Sequence, residues 1–486
     1  MSAVSSQLVV RPTLAACAAG TLLGVTYTLS PMSVWFGLAM IVIFVWAGRG
    51  VTGRERLWLF RLLAVAVVLR VLVLIVFFLL TYRINTLSYD PLPDFREGFR
   101  KVDVFGGSAA VLMPDDMSVM RYSIWIRNAA LGIPIAPLDY TSVFHLSGGE
   151  SGQSYLLAYL QMHLGTATYG LRLVNIVLYL AAAITLYRTV RPTFGAPAAL
   201  AGLAFVLFLP SLFVWSISTL KEPTYLFFLA LSLGGAGAAL RKNTKARRVL
   251  ALIACAIGVL GMGSIRADGS LLVGGGLFIG VSFAALIRRP VLLLTLLVAF
   301  VSVGGYALRD PRVDDQARNL LKRGYIPHAG FVKSGGWNYR LLDSELYALP
   351  NLNSTYQMTP GAAARYGIRA AASIVLVPLP WHMQSPFALA YLPEQVVWWV
   401  LVFLAAVGSV AGLRIDPRLT LLLLGVIFVS GAAIGLVSGN IGTMVRHRST
   451  ALMPLAWLSG IGAYSLLTQA ANRCSAMNPF HATSGT

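Results

Sequence analysis

Long apolar runs recur along the whole chain, separated by short polar stretches rich in Arg, Gly and Pro. A helix that crosses the hydrocarbon core of a bilayer takes roughly 20 apolar residues. Runs of that scale stand at 13–29, 32–48, 58–82, 169–187, 197–213, 224–240, 249–265, 270–287, 290–307, 391–412, 419–437 and 451–469, which predicts twelve spans. Two longer segments, 83–168 and 308–390, interrupt the series on the same side of the membrane. In the first, 117–131 and 152–164 have the amphipathic spacing of helices that lie along a membrane surface. In the second, Gly335–Gly336 and Pro350–Asn353 break up short periodic pieces. The stretch 366–386 is apolar but runs into Pro378, Pro380, Trp381 and His382, so an interfacial helix is expected there rather than a further span. The pattern predicts an all-α polytopic transmembrane helix bundle. Its blocks are two N-terminal spans (1–57), a core (58–307) that includes the segment 83–168, a second outer segment (308–390), C-terminal spans (391–470) and a tail (471–486).

Composition removes the soluble alternatives. Of 486 residues, 57% are apolar and 12% charged, with mean hydropathy +0.73. Soluble domains carry about 25% charged residues. The net charge is +20. In a soluble protein this would suggest nucleic acid, but in a membrane protein bases collect in cytoplasmic loops, and no nucleic-acid partner is expected. With both termini cytoplasmic, the inner loops hold Arg49, Arg54, Arg56, Arg188, Arg191, the cluster 241–248, Arg288, Arg289, Arg414 and Arg418. Of the 18 acids only Glu55 and Asp416 fall on that side, which sets the orientation and places both long segments outside. The first run lacks a small-residue cleavage site and reads as a retained anchor. Cys17, Cys255 and Cys474 are too far apart for a disulfide framework or metal spacing. High Arg and Ala usage without long polar tails suits a bacterial inner membrane.

Candidate chemistry concentrates in the first outer segment. Asp115 and Asp116 follow Pro114 at the head of an amphipathic stretch. Paired acids there serve as helix caps facing the positive dipole end, or one serves as a general base toward an incoming hydroxyl. Arg70 lies at the midpoint of the span 58–82, where an arginine costs about 2.5–3.5 kcal/mol and by default faces protein or water. It pairs with an acid or approaches a lipid phosphate. His145, His163 and His328 show no metal-ligand spacing, so no tight metal site is expected. A divalent cation bridging Asp115 or Asp116 to a phosphate is the one metal role left open. The Asn353-Ser354-Thr355 sequon reads as accidental, and glycine clusters such as Gly274-Gly275-Gly276 read as helix packing.

Several pieces form an ordered set. The acidic pair is followed by Tyr122, Ala129-Ala130-Leu131-Gly132-Ile133-Pro134, Tyr155-Leu156-Leu157-Ala158-Tyr159-Leu160, Leu164-Gly165 and Leu171-Arg172-Leu173-Val174-Asn175. Later come Leu209-Pro210-Ser211, Trp215-Ser216, Leu220-Lys221-Glu222-Pro223, and Arg446 and Arg448 before Pro454. The set, over about half the chain, resembles the polytopic GT-C glycosyltransferases of the protein-mannosyltransferase and lipid A aminoarabinose-transferase type. Two spans here precede the first one usual in that family, and Tyr122 follows Asp115 by seven residues instead of four.

The resemblance implies a GT-C-like fold and transfer of a sugar from a polyprenyl-phosphate donor to an acceptor at the outer membrane face. Asp116, slightly before Asp115, would be the base. Glu222 would position the acceptor, or pair with Lys221. Lys221, Arg446 and Arg448 would neutralise the leaving lipid phosphate, with Tyr122 and Arg70 as further donor-binding candidates. Lipid headgroups would equally attract Arg446 and Arg448. Two other readings compete: a surface-polysaccharide polymerase or ligase that uses lipid-pyrophosphate glycans and relies on Arg more than Asp, and a transporter or lipid flippase with broken spans.

Overall fold

The computed structural model describes residues 16–27, 30–87, 114–144, 151–165, 168–241, 244–266, 268–287, 289–307, 309–333, 338–348, 358–382 and 386–476. His145, the sequon at Asn353 and the last ten residues of the tail lie outside the described residues, as does the side chain of Asp115. The described chain is helical. In order it forms α1 (Ala16–Tyr27), α2 (Pro31–Gly48), α3 (Gly53–Leu87), α4 (Pro114–Ala130), α5 (Pro137–Phe144), α6 (Gly152–Leu164) and α7 (Thr168–Phe194). There follow α8 (Ala196–Phe208), α9 (Pro210–Ser216), α10 (Glu222–Arg241), α11 (Lys245–Ile265), α12 (Gly269–Leu286) and α13 (Pro290–Ala307). The remainder are α14 (Pro311–Lys333), α15 (Ser344–Ala348), α16 (Pro360–Leu376), α17 (Pro386–Ile415), α18 (Pro417–Val437) and α19 (Ile441–Ala476).

Among the described residues, nine helices are long and apolar enough to cross a bilayer, or ten if the bent pair α8–α9 counts as one span. The protein is an all-α polytopic membrane bundle. The expected runs 13–29 and 290–307 also lie on helices, the shorter α1 and the 18-residue α13. Helix starts follow local chemistry. Ser30, Thr359 and Asp416 each precede a proline that opens a helix, and each side chain accepts a backbone N–H of the first turn.

Three expectations change. The run 197–213 is not one straight helix but bends by 64° between α8 and α9. Pro210 has no N–H to give to the preceding turn, so the helix breaks before it. The stretch 438–450, which falls between the expected spans 419–437 and 451–469, is mostly helix, because α19 begins at Ile441 and carries Arg446 and Arg448 within it. Helix α16 starts at Pro360 and ends at Leu376, so the described residues 377–382 are not α-helical and include a short 3₁₀ turn at Pro380–His382.

The chain divides into two compact units. The first comprises Met1–Ile184, Phe213–Phe227 and Ser264–Arg266. Its described part holds α1 to α6, most of α7, and the link from α9 into α10. The second comprises Thr185–Leu212, Phe228–Gly263 and Ala267–Thr486. There α12 and α18 pack at Gly276 and Gly280 against Gly425. A Cβ on Gly276 would stand 2.7 Å from the Cα of Val426, so only glycine permits this approach. Also in this unit, α14 and α16 pack on α18, and α15 on α14, around a core of Tyr325, Tyr339, Tyr347, Tyr366 and Met444.

Candidate functional site

The densest buried polar cluster described in the first unit surrounds the non-helical link 217–221, between α9 and α10. A stretch without helical hydrogen bonds is costly in a membrane protein unless side chains satisfy its backbone. Here they do. Asn175 Nδ2 donates to Ser218 O at 2.7 Å and to Leu220 O at 2.8 Å. Gln153 Nε2 donates to the intervening Thr219 O at 3.4 Å and to Asn175 Oδ1 at 3.3 Å. Gln153 Oε1 in turn accepts the Thr224 hydroxyl at 2.6 Å. Thr219 N donates to Asp116 Oδ1 at 2.6 Å, and the Thr219 hydroxyl bonds the same carboxylate oxygen. Arg172 Nη2 holds the other oxygen, Oδ2, at 3.2 Å. Arg172 and Asn175 are three apart on α7 and so share one of its faces, while Gln153 sits in the first turn of α6. Asp116, Asn175, Gln153 and Thr219 are all 0% exposed.

The structure thus joins three separated pieces: the acid-bearing start of α4, the Arg-bearing start of α7, and the link that ends at Lys221 and Glu222. Asp116 lies in the first turn of α4, yet its carboxylate bonds α7 and the link, so simple capping does not describe it. Glu222 is buried as the first residue of α10, where a carboxylate meets the positive end of the helix dipole. Lys221 is half-buried immediately before it.

Tyr122 is not brought to this cluster. It stands six residues after Asp116, about 120° around the helix. There it packs edge-on against Trp125 at 5.7 Å, with the Arg121 guanidinium over both rings. Arg70, expected to meet an acid or a phosphate, has neutral groups of the same unit among its contacts. Its Nε donates to Ser216 Oγ at 2.8 Å and its Nη1 to Ala66 O at 3.1 Å. The rings of Phe213 and Tyr179 lie 4.7 and 5.2 Å from the guanidinium carbon. Cation–π attraction and two hydrogen bonds offset the cost of its depth.

The second unit holds Arg446 and Arg448, which are two residues apart and so point about 200° apart around α19. Arg448 is 2% exposed, which excludes snorkelling to headgroups. It donates to Gln395 Oε1 at 3.1 Å and to Val377 O, and lies 4.6 Å over Trp398. Glu394, next to Gln395 on α17, accepts Ser211 N at 3.1 and 3.2 Å, satisfying an amide at the start of α9.

His328 is a further buried titratable group of this unit. Its Nδ1 lies 2.5 Å from Ser438 O and its Nε2 3.1 Å from the Tyr347 hydroxyl. A carbonyl only accepts, so Nδ1 carries the proton and Nε2 accepts from Tyr347. Burial lowers its pKa from 6.5 to about 4, and it raises those of Tyr339 and Tyr366.

Thr219, Gln153, Gln395 and Glu394 were not singled out by sequence reasoning, and Asn175 entered only as the last residue of a motif, with no role. The available signal was polar side chains interrupting apolar runs, as at Asn175 inside the span 169–187. No group of three His, Cys, Asp or Glu side chains able to hold a metal occurs among the described residues. No protein-family model matches the chain, and a search of curated proteins finds no match.

Proposed function

We propose that the chain is a membrane glycosyltransferase that takes a sugar from a polyprenyl-phosphate donor and transfers it to an acceptor hydroxyl at the outer face of a bacterial inner membrane. The observation that supports this reading is the convergence on one buried cluster of Asp116, Arg172 and the link leading into Lys221-Glu222. These are the pieces that carry the GT-C resemblance, and up to 103 residues of sequence separate them.

In the reaction, the acceptor oxygen bonds the anomeric carbon as the bond from that carbon to the phosphate oxygen breaks. The lipid phosphate leaves with the electron pair, and the hydroxyl proton passes to a carboxylate. Asp116 has no exposed surface and both its oxygens are engaged. We therefore assign it to holding the link, and its neighbour Asp115 to the base. Lys221, at the end of the link, supplies positive charge for the departing phosphate.

The test is sugar transfer by purified full-length protein in nanodiscs, with a panel of polyprenyl-phosphate sugars. Asp115→Asn should lower turnover by roughly a hundred- to ten-thousand-fold, the span of general-base contributions, with donor binding and unfolding temperature retained. Asp116→Asn should instead lower the unfolding temperature. The assignment of the base fails if Asp115→Asn transfers sugar at the normal rate. The donor class fails if no polyprenyl-phosphate sugar binds or reacts.

One observation favours a second reading. The bent pair α8–α9 with the non-helical link behind it is the kind of broken span from which transporters build midplane sites. That reading gains if proteoliposomes move a labelled lipid across the bilayer and Asp115→Asn does not change the rate.

A further inference from the structure

A cavity of about 390 Å³ lies within the first unit among α1, α2, α3 and α7. It falls at the lower end of ligand-pocket sizes and is apart from the Asp116 cluster described above. Its walls are Phe36 of α2, Val71, Leu74 and Ile75 of α3, and Leu173 of α7. The hydroxyls on it come from Thr26, Ser33 and Tyr169, which stand at the ends of their helices. The starts of α2 and α7 are side by side, since the Tyr169 hydroxyl neighbours Ser30 and Ser33, and Gly170 abuts Met32. From that shared end, Phe36 and Leu173 lie about one turn deeper than Ser33 and Tyr169. The cavity therefore has a hydroxyl-bearing rim and a hydrocarbon interior.

The cavity opens toward lipid. Ile75 lines it while remaining 48% exposed, and its neighbours Leu72, Val76 and Leu79 on α3 are more exposed still. In a membrane span such a surface meets acyl chains, so what enters from that side is a hydrocarbon chain. Helix α7 links this cavity to the polar cluster. Tyr169 and Leu173, four residues apart, face the cavity, while Arg172 and Asn175 face the link that carries Lys221. Two of the four walls, α1 and α2, come from the spans that precede the GT-C-like region.

We propose that this cavity seats the polyprenyl chain of the donor at its phosphate-proximal units, with the Thr26, Ser33 and Tyr169 hydroxyls toward the phosphate end. The two N-terminal helices thus act as a lipid-chain clamp. The inference rests on the proposed donor chemistry, and its test separates the two.

The full-length protein in nanodiscs is photolabelled with a polyprenyl monophosphate that bears a diazirine on its phosphate-proximal units, and cross-linked peptides are mapped. Labelling should saturate, concentrate on 26–36, 71–75 and 169–173, and be competed by unlabelled polyprenyl phosphate but not by phosphatidylglycerol. Leu74→Trp, which fills the cavity, should weaken labelling at least tenfold, and the milder Val71→Phe should weaken it in the same direction at an unchanged unfolding temperature. Saturable labelling confined to other helices, with both variants unaffected, overturns the cavity assignment and leaves the donor reading standing. Labelling of the cavity that phosphatidylglycerol competes equally also overturns it, because the site then holds bulk lipid. Absence of saturable labelling anywhere removes the donor reading, and this inference with it.

Discussion

Protonation of His328 should destabilise the second unit at mildly acidic pH by an amount that the structure allows to be worked out. The imidazole sits in a directed chain of hydrogen bonds. Leu341 N and Leu342 N donate to the Tyr347 hydroxyl, which donates to His328 Nε2, while Nδ1–H and the Tyr339 hydroxyl both donate to Ser438 O. A second ring proton on Nε2 would face the Tyr347 O–H, and the hydroxyl's lone pairs are already taken by two amides. No acid is described at the ring; the groups around it are the phenols of Tyr325, Tyr339, Tyr347 and Tyr366, at centroid distances of 5.5 to 6.3 Å. The folded pKa, about 4, therefore lies below the unfolded value of 6.5. Above 6.5 neither state binds the proton. Between 6.5 and 4 only the unfolded state does, so stability is lost as pH falls through that window and levels off below it. One pKa unit is about 1.4 kcal/mol, so the full loss is roughly 3 kcal/mol, of which about 2 kcal/mol appears by pH 5. The assay is thermal unfolding in detergent between pH 7.5 and 5, comparing the wild type with His328→Gln. Glutamine can donate to Ser438 O and accept from Tyr347, but it does not titrate in this range. The variant should lose much less stability than the wild type across the window. Parallel loss in the two proteins would refute the argument, because the titrating group would then lie elsewhere.

Three further outcomes are expected from the same kind of measurement. Asn175→Leu strips the donors from Ser218 O and Leu220 O and, at about 1–3 kcal/mol for each orphaned carbonyl, should cost roughly 2–5 kcal/mol in unfolding; a cost under about 1 kcal/mol would mean that the link is satisfied otherwise. Gly276→Ala drives a Cβ into the backbone of α18 and should cost about 1–3 kcal/mol, whereas Gly274→Ala meets only Val259 Cγ1 at 3.6 Å and should be neutral; equal effects would disprove the close approach. Arg448→Met removes the donor to Gln395 and Val377 and should lower the unfolding temperature; an unchanged unfolding temperature would contradict the burial of Arg448.

Much of the fold is legible in order along the chain. Whether a segment partitions into hydrocarbon depends on a sum over consecutive side chains, and that sum is local. The runs at 32–48 and 419–437 therefore coincide with helices to within two residues, the run 169–187 lies inside the longer α7, and Ser30-Pro31 or Asp416-Pro417 marks where two of these helices begin. The buried polar cluster was partly legible too, since Asp116, Arg172 and the link before Glu222 belonged to the set that carried the resemblance.

What only the tertiary structure decided was which polar groups meet. Thr219 reaches Asp116 across 103 residues and Arg448 reaches Val377 across 71, distances over which no periodicity carries information. Side-chain direction was equally hidden. Arg446 and Arg448 look like one basic pair in sequence, yet helical geometry turns them to opposite sides, burying one against α17. Arg70 announced itself by depth alone, but whether an acid, a phosphate or aromatic rings would stabilise it depended on the packing of Phe213 and Tyr179 beside it. Local composition determines that a segment enters the membrane, because transfer free energy adds residue by residue. The partner of a buried charge is a property of the packed helices, because hydrogen bonds and charge pairs act only over a few ångströms between groups that the chain keeps far apart.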